Sequence, residues 1–108
     1  MVSMELEADW IVEYSPKAKK QLKLLEKEHP KVYAAAAVLT KEIALTGPIR
    51  NNWTHFSSLQ KNSRIPEGSY HCHIKGGRPT FVACWRVESK KIKIVEIFYV
   101  GTHEKAPY

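Results

Sequence analysis

Two helical segments bounded by prolines constrain this chain most, because together they present one apolar face that another element must cover. Ser15-Pro16 is typical of a helix start, with Ser as the N-cap and Pro at the first helical position. Pro30 ends this helix and begins a second one, which Gly47-Pro48 terminates. The apolar residues at helical spacing are Ala18, Leu22, Leu24, Leu25, Val32, Ala36, Leu39 and Ile43. The pattern predicts a helical hairpin with one apolar face.

Four other segments are rich in β-branched and aromatic residues and are predicted to be strands. They comprise residues 10–14, 70–75, 80–87 and 91–100. Residues 76–79 form a predicted turn, and residues 49–69 are expected to be an irregular connection. The order of elements predicts an α+β fold. An N-terminal strand and the helical hairpin precede a three-stranded antiparallel sheet, and the helices cover one face of that sheet.

The length of 108 residues predicts a single domain spanning residues 1–108. No apolar run approaches the roughly 20 residues that a membrane helix requires, so no membrane association is expected. Residues 1–10 contain three carboxylates and no basic side chain, which is unlike a secretory signal or a transit peptide. The two cysteines are then expected to stay reduced, and the predicted location is the cytoplasm.

The positive charge of the chain is concentrated in its second half. Residues 1–49 have seven basic and seven acidic side chains, whereas residues 50–108 have ten Lys and Arg against four Glu. The second half therefore carries the whole net charge of +6, together with four of the five histidines and many aromatic residues. This distribution indicates a polyanionic partner, either a nucleic acid or an acidic protein segment.

The predicted strand 70–75 sorts its residues onto two faces by alternation. His71 and His73 share one face, with Cβ atoms about 7 Å apart, and Tyr70, Cys72 and Ile74 share the other. On the side of the histidines, Arg78 and Arg86 would lower the pKa of the imidazoles, because a nearby cation disfavours their charged form. A neutral imidazole can act as a general base near neutral pH. The alternative is a pair of surface histidines on a half-exposed strand.

Histidines also bear on the role of the C-terminal tail, on metal binding and on the role of His55. The tail 102–108 leaves the last strand and can fold over the open sheet face with His103 and Tyr108. Two histidines on one strand with a third nearby could hold zinc, but the basic surroundings repel a cation, so no metal and no cofactor are expected. His55 could be structural or could contact a substrate, and the sequence leaves both open.

The segments Tyr70-His71-Cys72-His73-Ile74, 81–87 and 99–108, in this order and spacing, resemble the RelE/ParE superfamily of bacterial and archaeal toxins. The resemblance extends over residues 10–108. It implies a small sheet with two covering helices, an acidic antitoxin as partner, and cleavage of mRNA on the ribosome. The chain would then be the toxin of a type II toxin-antitoxin system and a metal-independent endoribonuclease that uses the ribose 2′-OH to attack the adjacent phosphate.

The resemblance also implies roles for single residues. His71 and His73 match a pair of strand lysines of RelE, and His73 also matches a catalytic histidine of the YafQ-like branch. His103 matches the Gly-Thr-His histidine of that branch, and Tyr108 the C-terminal aromatic residue of both. The strand arginine of RelE falls at Val82, so another arginine must replace it. The expected catalytic residues are His71, His73, His103 and Tyr108, and the expected RNA- or phosphate-binding residues are Lys75, Arg78, Arg86 and Lys105.

Two other functions share some of these features. A gyrase inhibitor like ParE would have the same fold without a catalytic cluster. A basic nucleic-acid-binding module would explain the charge, but it would not need the three histidines to converge.

Overall fold

The computed structural model describes residues 9–108. Residues 1–8 of the predicted domain, which include most of the segment compared with signal and transit peptides, lie outside the described residues. The elements are β1 (Ile11–Tyr14), α1 (Pro16–Glu28), α2 (Pro30–Thr46), β2 (Thr54–Leu59), β3 (Ser69–Lys75), β4 (Phe81–Ser89), β5 (Ile94–Thr102) and a 3₁₀ turn (His103–Lys105). No helix within residues 9–108 is both long and apolar enough to cross a membrane.

The sheet has five strands in the order β1-β5-β4-β3-β2, with β1 parallel to β5 and the other neighbours antiparallel. The α+β class is as predicted, but the expected three-stranded sheet is too small. The N-terminal strand adds a parallel edge, and β2 arises from the segment predicted to be irregular. The register of β2 against β3 shifts between Thr54 and Ser57. A bulge of this kind breaks the alternation of side chains, which is the signal that would have revealed the strand.

The two helices begin and end where the sequence predicts. The Ser15 hydroxyl accepts a hydrogen bond from the backbone N–H of Ala18 at 3.1 Å, which caps α1. Gly47 ends α2 with a φ of 106°, a conformation that favours glycine. Among the apolar residues predicted to lie on the shared helical face, Leu24 is not buried, because it is 54% exposed. It precedes Leu25 by one residue and so lies about 100° away from it around the helix, outside the buried stripe.

Both helices pack on one face of the sheet, and that face forms the main core. Trp85 of β4 is fully buried there, and its indole N–H donates a hydrogen bond to the carbonyl of Pro48 at 3.1 Å. The other buried strand residues in this core include Cys72, Ile74, Phe81, Ala83, Val95, Ile97 and Val100. A second, smaller cluster lies on the opposite face and consists of Val82, Cys84, Tyr99 and Ala106. Because Ala106 belongs to it, the C-terminal tail folds over that face.

Glu42 on α2 ties the loop before β2 to the helical layer. One of its carboxylate oxygens accepts hydrogen bonds from Asn52 Nδ2 at 2.8 Å, Trp53 Nε1 at 2.8 Å and Arg50 Nη1 at 3.2 Å. The hydrogen bond from Asn52 is the largest cause that lowers the pKa of Glu42, and those from Trp53 and Arg50 act in the same direction. This junction fixes the point from which β2 enters the sheet.

Candidate active site

The pairing of β3 with β4 places two histidines on the face of the sheet that the helices leave open. His71 lies opposite Cys84 and His73 opposite Val82, and both partners belong to the smaller cluster on that face. Cys72 lies opposite Ala83 and is buried in the main core. The alternation predicted from the sequence is therefore confirmed for this strand.

The C-terminal tail brings His103 and Tyr108 to the two strand histidines. The backbone N–H of His103 donates a hydrogen bond to the carbonyl of Thr80 at 2.8 Å, and Ala106 is 8% exposed. The ring centroids are 6.3 Å apart for His71 and His73, 5.4 Å for His73 and His103, 5.6 Å for His103 and Tyr108, and 4.4 Å for Tyr108 and His71. Each of the four rings therefore lies next to two of the others, on one face of the sheet.

His55 joins this group through the bulge in β2. Its ring stacks on His73 with centroids 4.2 Å apart and an angle of 26° between the ring planes. Its φ of 58° is in the left-handed region, and it lies in the interval between Thr54 and Ser57 where the register shifts. Bulges reorient a side chain in this way and are frequent beside active sites. Alternation along β2 gives no indication of this position, so sequence reasoning could not decide the role of His55.

We refer to His55, His71, His73, His103 and Tyr108 as the histidine cluster. The pKa values of His71 and His73 are both lowered, and burial is the largest cause for each. Neighbouring imidazoles act in the same direction, with His73 next in importance for His71 and His55 next for His73. The direction agrees with the sequence-based expectation, but the cause is burial and other imidazoles rather than arginines.

Two further contacts define the environment of the strand histidine His71. The Ser57 hydroxyl lies 3.3 Å from His71 Nδ1. A hydrogen bond with the backbone of Ser57 partly opposes the lowering of the His71 pKa. Tyr108 also packs against the His71 ring, and it is 38% exposed. Burial raises the pKa of Tyr108 far above its ordinary value, so the phenol keeps its proton at neutral pH.

The four basic residues predicted to contact RNA are not all near the cluster. Arg78 is exposed and lines a cleft of about 440 Å³ together with His73, His103 and Glu104. Lys75 is exposed at the end of β3, two residues after His73. Lys105 lines a different groove, which runs between α1 and the tail. Of the two predicted arginines, Arg78 is therefore the one that lies in the cleft with the histidines.

Arg86 has a different environment from the one expected. It lies opposite Ser69, beyond the pair formed by His71 and Cys84. Its guanidinium is 3.0 Å from Glu96 and 3.6 Å from Glu88. The charge of Arg86 is thus balanced within the sheet, because β5 places a carboxylate directly beside it. The predicted role of Arg86 as a phosphate ligand stays a prediction, and this ion pair competes with it.

Within residues 9–108, no three His, Cys, Asp or Glu side chains are arranged to hold a metal ion. The absence of a metal from the chemistry of this protein stays a prediction. Cys72 and Cys84 are both buried free thiols on opposite faces of the sheet, and burial raises the pKa of each to about 12.

Comparisons with known proteins identify the fold. No protein-family model matches the chain, and no curated protein matches it. The solved YoeB dimer from Staphylococcus aureus is 19% identical with a TM-score of 0.69, covering 89% of this chain and 99% of that chain. A YoeB/ParE toxin from Agrobacterium tumefaciens is 11% identical with a TM-score of 0.69, covering 86% and 98%. The E. coli DinJ–YafQ toxin-antitoxin complex contains a chain that is 20% identical with a TM-score of 0.61, covering 93% and 99%.

The chain shares the fold of these YoeB, YoeB/ParE and YafQ structures, as the sequence resemblance implied. The correspondence covers nearly the whole length of each neighbour. At these identities the comparison establishes the fold alone, and the chemistry must be argued from the histidine cluster.

The lowered pKa values predict that stability depends on pH through the cluster. Between the lowered pKa values of His71 and His73 and the ordinary histidine value near 6.5, the unfolded chain binds more protons than the folded chain. The contribution of His71 and His73 is therefore intact above this range and is lost as the pH falls through their lowered pKa values. We expect urea denaturation to show a decreasing free energy of unfolding from about pH 7 to about pH 5. The double variant His71→Gln/His73→Gln should show a smaller decrease, and an equal decrease in both proteins would contradict the assignment.

Proposed function

We propose that this protein is a toxin of a type II toxin-antitoxin system that cleaves RNA without a metal ion. The observation that carries the proposal is the contact of His73 with two other histidines, His55 and His103, on an open sheet face. A group of imidazoles costs stability when protonated, so its assembly from three separate segments argues for a chemical role.

The proposed reaction is attack of a ribose 2′-OH on the adjacent phosphorus. A base removes the proton of the 2′-OH, the new O–P bond forms, and the bond to the 5′-oxygen breaks as an acid protonates that oxygen. The products are a 2′,3′-cyclic phosphate and a 5′-hydroxyl. His73 is the proposed base, because burial and the imidazole of His55 keep its own imidazole neutral near pH 7.

The acid and the electrostatic groups come from the tail and the β3–β4 turn. His103, the proposed acid, is exposed at the rim of the cluster, and its ring is 5.4 Å from that of His73. Two rings at this spacing can reach opposite sides of one phosphodiester. Arg78 in the adjoining cleft would stabilise the charge on the phosphate oxygens. The partly exposed ring of Tyr108 offers a surface on which a base can stack.

The proposed substrate is mRNA bound to the ribosome, and the proposed partner is an acidic antitoxin. The fold supports this proposal, because the neighbours include a YoeB–YefM complex and a DinJ–YafQ toxin-antitoxin complex. The net charge of +6, all of it in residues 50–108, supports a polyanionic substrate and an acidic partner alike. An antitoxin segment that binds this half should associate more slowly as the salt concentration rises.

The first test is cleavage of RNA with and without translating ribosomes. We expect cleavage that persists in EDTA and leaves 2′,3′-cyclic or 3′-phosphate and 5′-hydroxyl ends. The triple variant His71→Gln/His73→Gln/His103→Gln should stay folded and lose activity, because each acid or base group commonly contributes about 10² to 10⁴ in rate. A folded triple variant that still arrests growth would contradict the catalytic assignment. Such a result would favour one of the two other functions. Inhibition of DNA supercoiling by gyrase would then indicate a gyrase inhibitor, and retention of RNA without cleavage would indicate a nucleic-acid-binding module.

The pH dependence of single-turnover cleavage tests the roles of the imidazoles. A neutral base and a protonated acid must coexist, so the rate should be bell-shaped with limbs between about pH 5 and 8. The lowered pKa of His73 should place the acid limb at the low end of this range. A zinc-bound hydroxide would instead be lost on strong chelation. A rate that rises steadily past about pH 9 would indicate a lysine or tyrosine base and exclude the histidine assignment.

The two arginines provide a matched pair of variants. Arg78→Gln should reduce the rate by about 10- to 1,000-fold without changing stability, because its side chain is exposed beside the histidines. Arg86→Gln should lower the midpoint of unfolding, since Glu96 loses its partner, and should leave cleavage unchanged at temperatures well below that midpoint. Equal losses of activity in the two variants would show that Arg86 also acts at the site, as the sequence predicts, and would contradict this distinction between the two arginines.

A further inference from the structure

Tyr99 of β5 is a buried tyrosine on the same sheet face as the histidine cluster. It lies opposite Cys84, which in turn lies opposite His71, so the three side chains share one face. The residue is 4% exposed and clusters with Val82, Cys84 and Ala106 beneath the tail. Burial is the largest cause that raises the pKa of Tyr99, so its hydroxyl keeps a proton to donate.

The hydroxyl of Tyr99 is directed at the backbone that leads into His103. It donates a hydrogen bond to the carbonyl oxygen of Thr102 at 2.7 Å. The N–H of the same peptide group belongs to His103, and it donates to the carbonyl of Thr80 at 2.8 Å. The peptide plane between Thr102 and His103 is therefore held on both sides, by the Tyr99 side chain of β5 at its carbonyl and by the Thr80 carbonyl, just before β4, at its N–H.

Gly101 makes this arrangement possible. A Cβ at this position would lie 2.8 Å from the Tyr99 hydroxyl oxygen and 3.0 Å from Cζ of the same ring, closer than side-chain carbons come to such atoms. The φ of Gly101 is not positive, so its backbone conformation does not require glycine. The close approach of the Tyr99 ring does. Any larger residue must displace the tyrosine ring or the turn that follows it.

We propose that Tyr99 is a positioning residue that orients His103 by fixing the Thr102–His103 peptide plane. The peptide plane sets the position of the His103 Cα atom. Only rotation about the N–Cα bond then lies between this plane and the direction of the His103 Cβ atom. The hydrogen bond spans three residues and uses a rigid ring as its anchor, so it restrains the turn at little entropic cost. The kinetic consequence rests on the proposed function, whereas the restraint on His103 does not.

The test compares Tyr99→Phe with Tyr14→Phe. The Tyr14 hydroxyl also donates one tertiary hydrogen bond, to Thr40 Oγ1 at 2.8 Å, but it joins β1 to α2 on the helical side. Tyr99→Phe should lower kcat by about 10- to 100-fold with KM nearly unchanged, because a misplaced acid affects the chemical step. Tyr14→Phe should leave kcat within about twofold while losing comparable stability. Equal kcat values in the two variants would overturn the proposal.

A double variant examines the close approach directly. Gly101→Ala alone should lower kcat, because the added methyl group meets the Tyr99 hydroxyl. In the Tyr99→Phe background the nearest contact, at 2.8 Å to the hydroxyl, is gone and the one at 3.0 Å to Cζ remains, so the same substitution should cost less than it does in the parent protein. Losses that multiply independently would show that Tyr99 and Gly101 do not act through one contact, and would overturn the proposal.

Hydrogen exchange separates the restraint from the activity. The amide of His103 should exchange faster in Tyr99→Phe than in the parent protein or in Tyr14→Phe. An unchanged rate overturns the positioning proposal whatever the cleavage assay shows. If the amide exchanges faster in Tyr99→Phe but the parent protein does not cleave RNA, the restraint is supported and only the proposed function is contradicted.

Discussion

The register between β3 and β4 decides which side chains of this protein are buried beneath the helices and which face the open side. With Cys72 opposite Ala83, the apolar residues of both strands enter the main core beside Trp85. The same register leaves His71 and His73 on the other face. A slip of one residue would bury the two imidazoles under the helices or, if β4 turned over instead of β3, would expose Trp85. The core and the histidine cluster are therefore two consequences of one pairing.

The cluster is built on a small apolar base rather than on charge complementarity. Val82 and Cys84 lie opposite the two strand histidines, and Ala106 and Tyr99 complete a layer under the tail. This layer desolvates the imidazoles, which is why burial is the largest cause of their lowered pKa values. A site that needs a neutral imidazole can use the same burial that a core uses for stability. The same burial is expected to lower the free energy of unfolding at acid pH, because the unfolded chain then binds more protons.

Much of the fold follows from local signals that act within a few residues. Ser15, Pro30 and Gly47 mark the helix boundaries because capping and the geometry of proline and glycine are local properties. Alternation places His71 and His73 on one face for the same reason. Strand β2 was predicted to be irregular because its bulge interrupts the period of two.

The contents of the site depend on contacts between residues that are far apart in the sequence. The sequence by itself determined the helical hairpin, the pair of strand histidines and the presence of a tail with His103 and Tyr108. Only the tertiary structure placed His55 on His73 through a left-handed backbone, and only it paired Arg86 with Glu96. It also showed Tyr99 holding the peptide before His103. Local propensity acts over a turn or a strand, whereas these contacts depend on sheet register and burial, which the chain acquires only when its distant segments pack together.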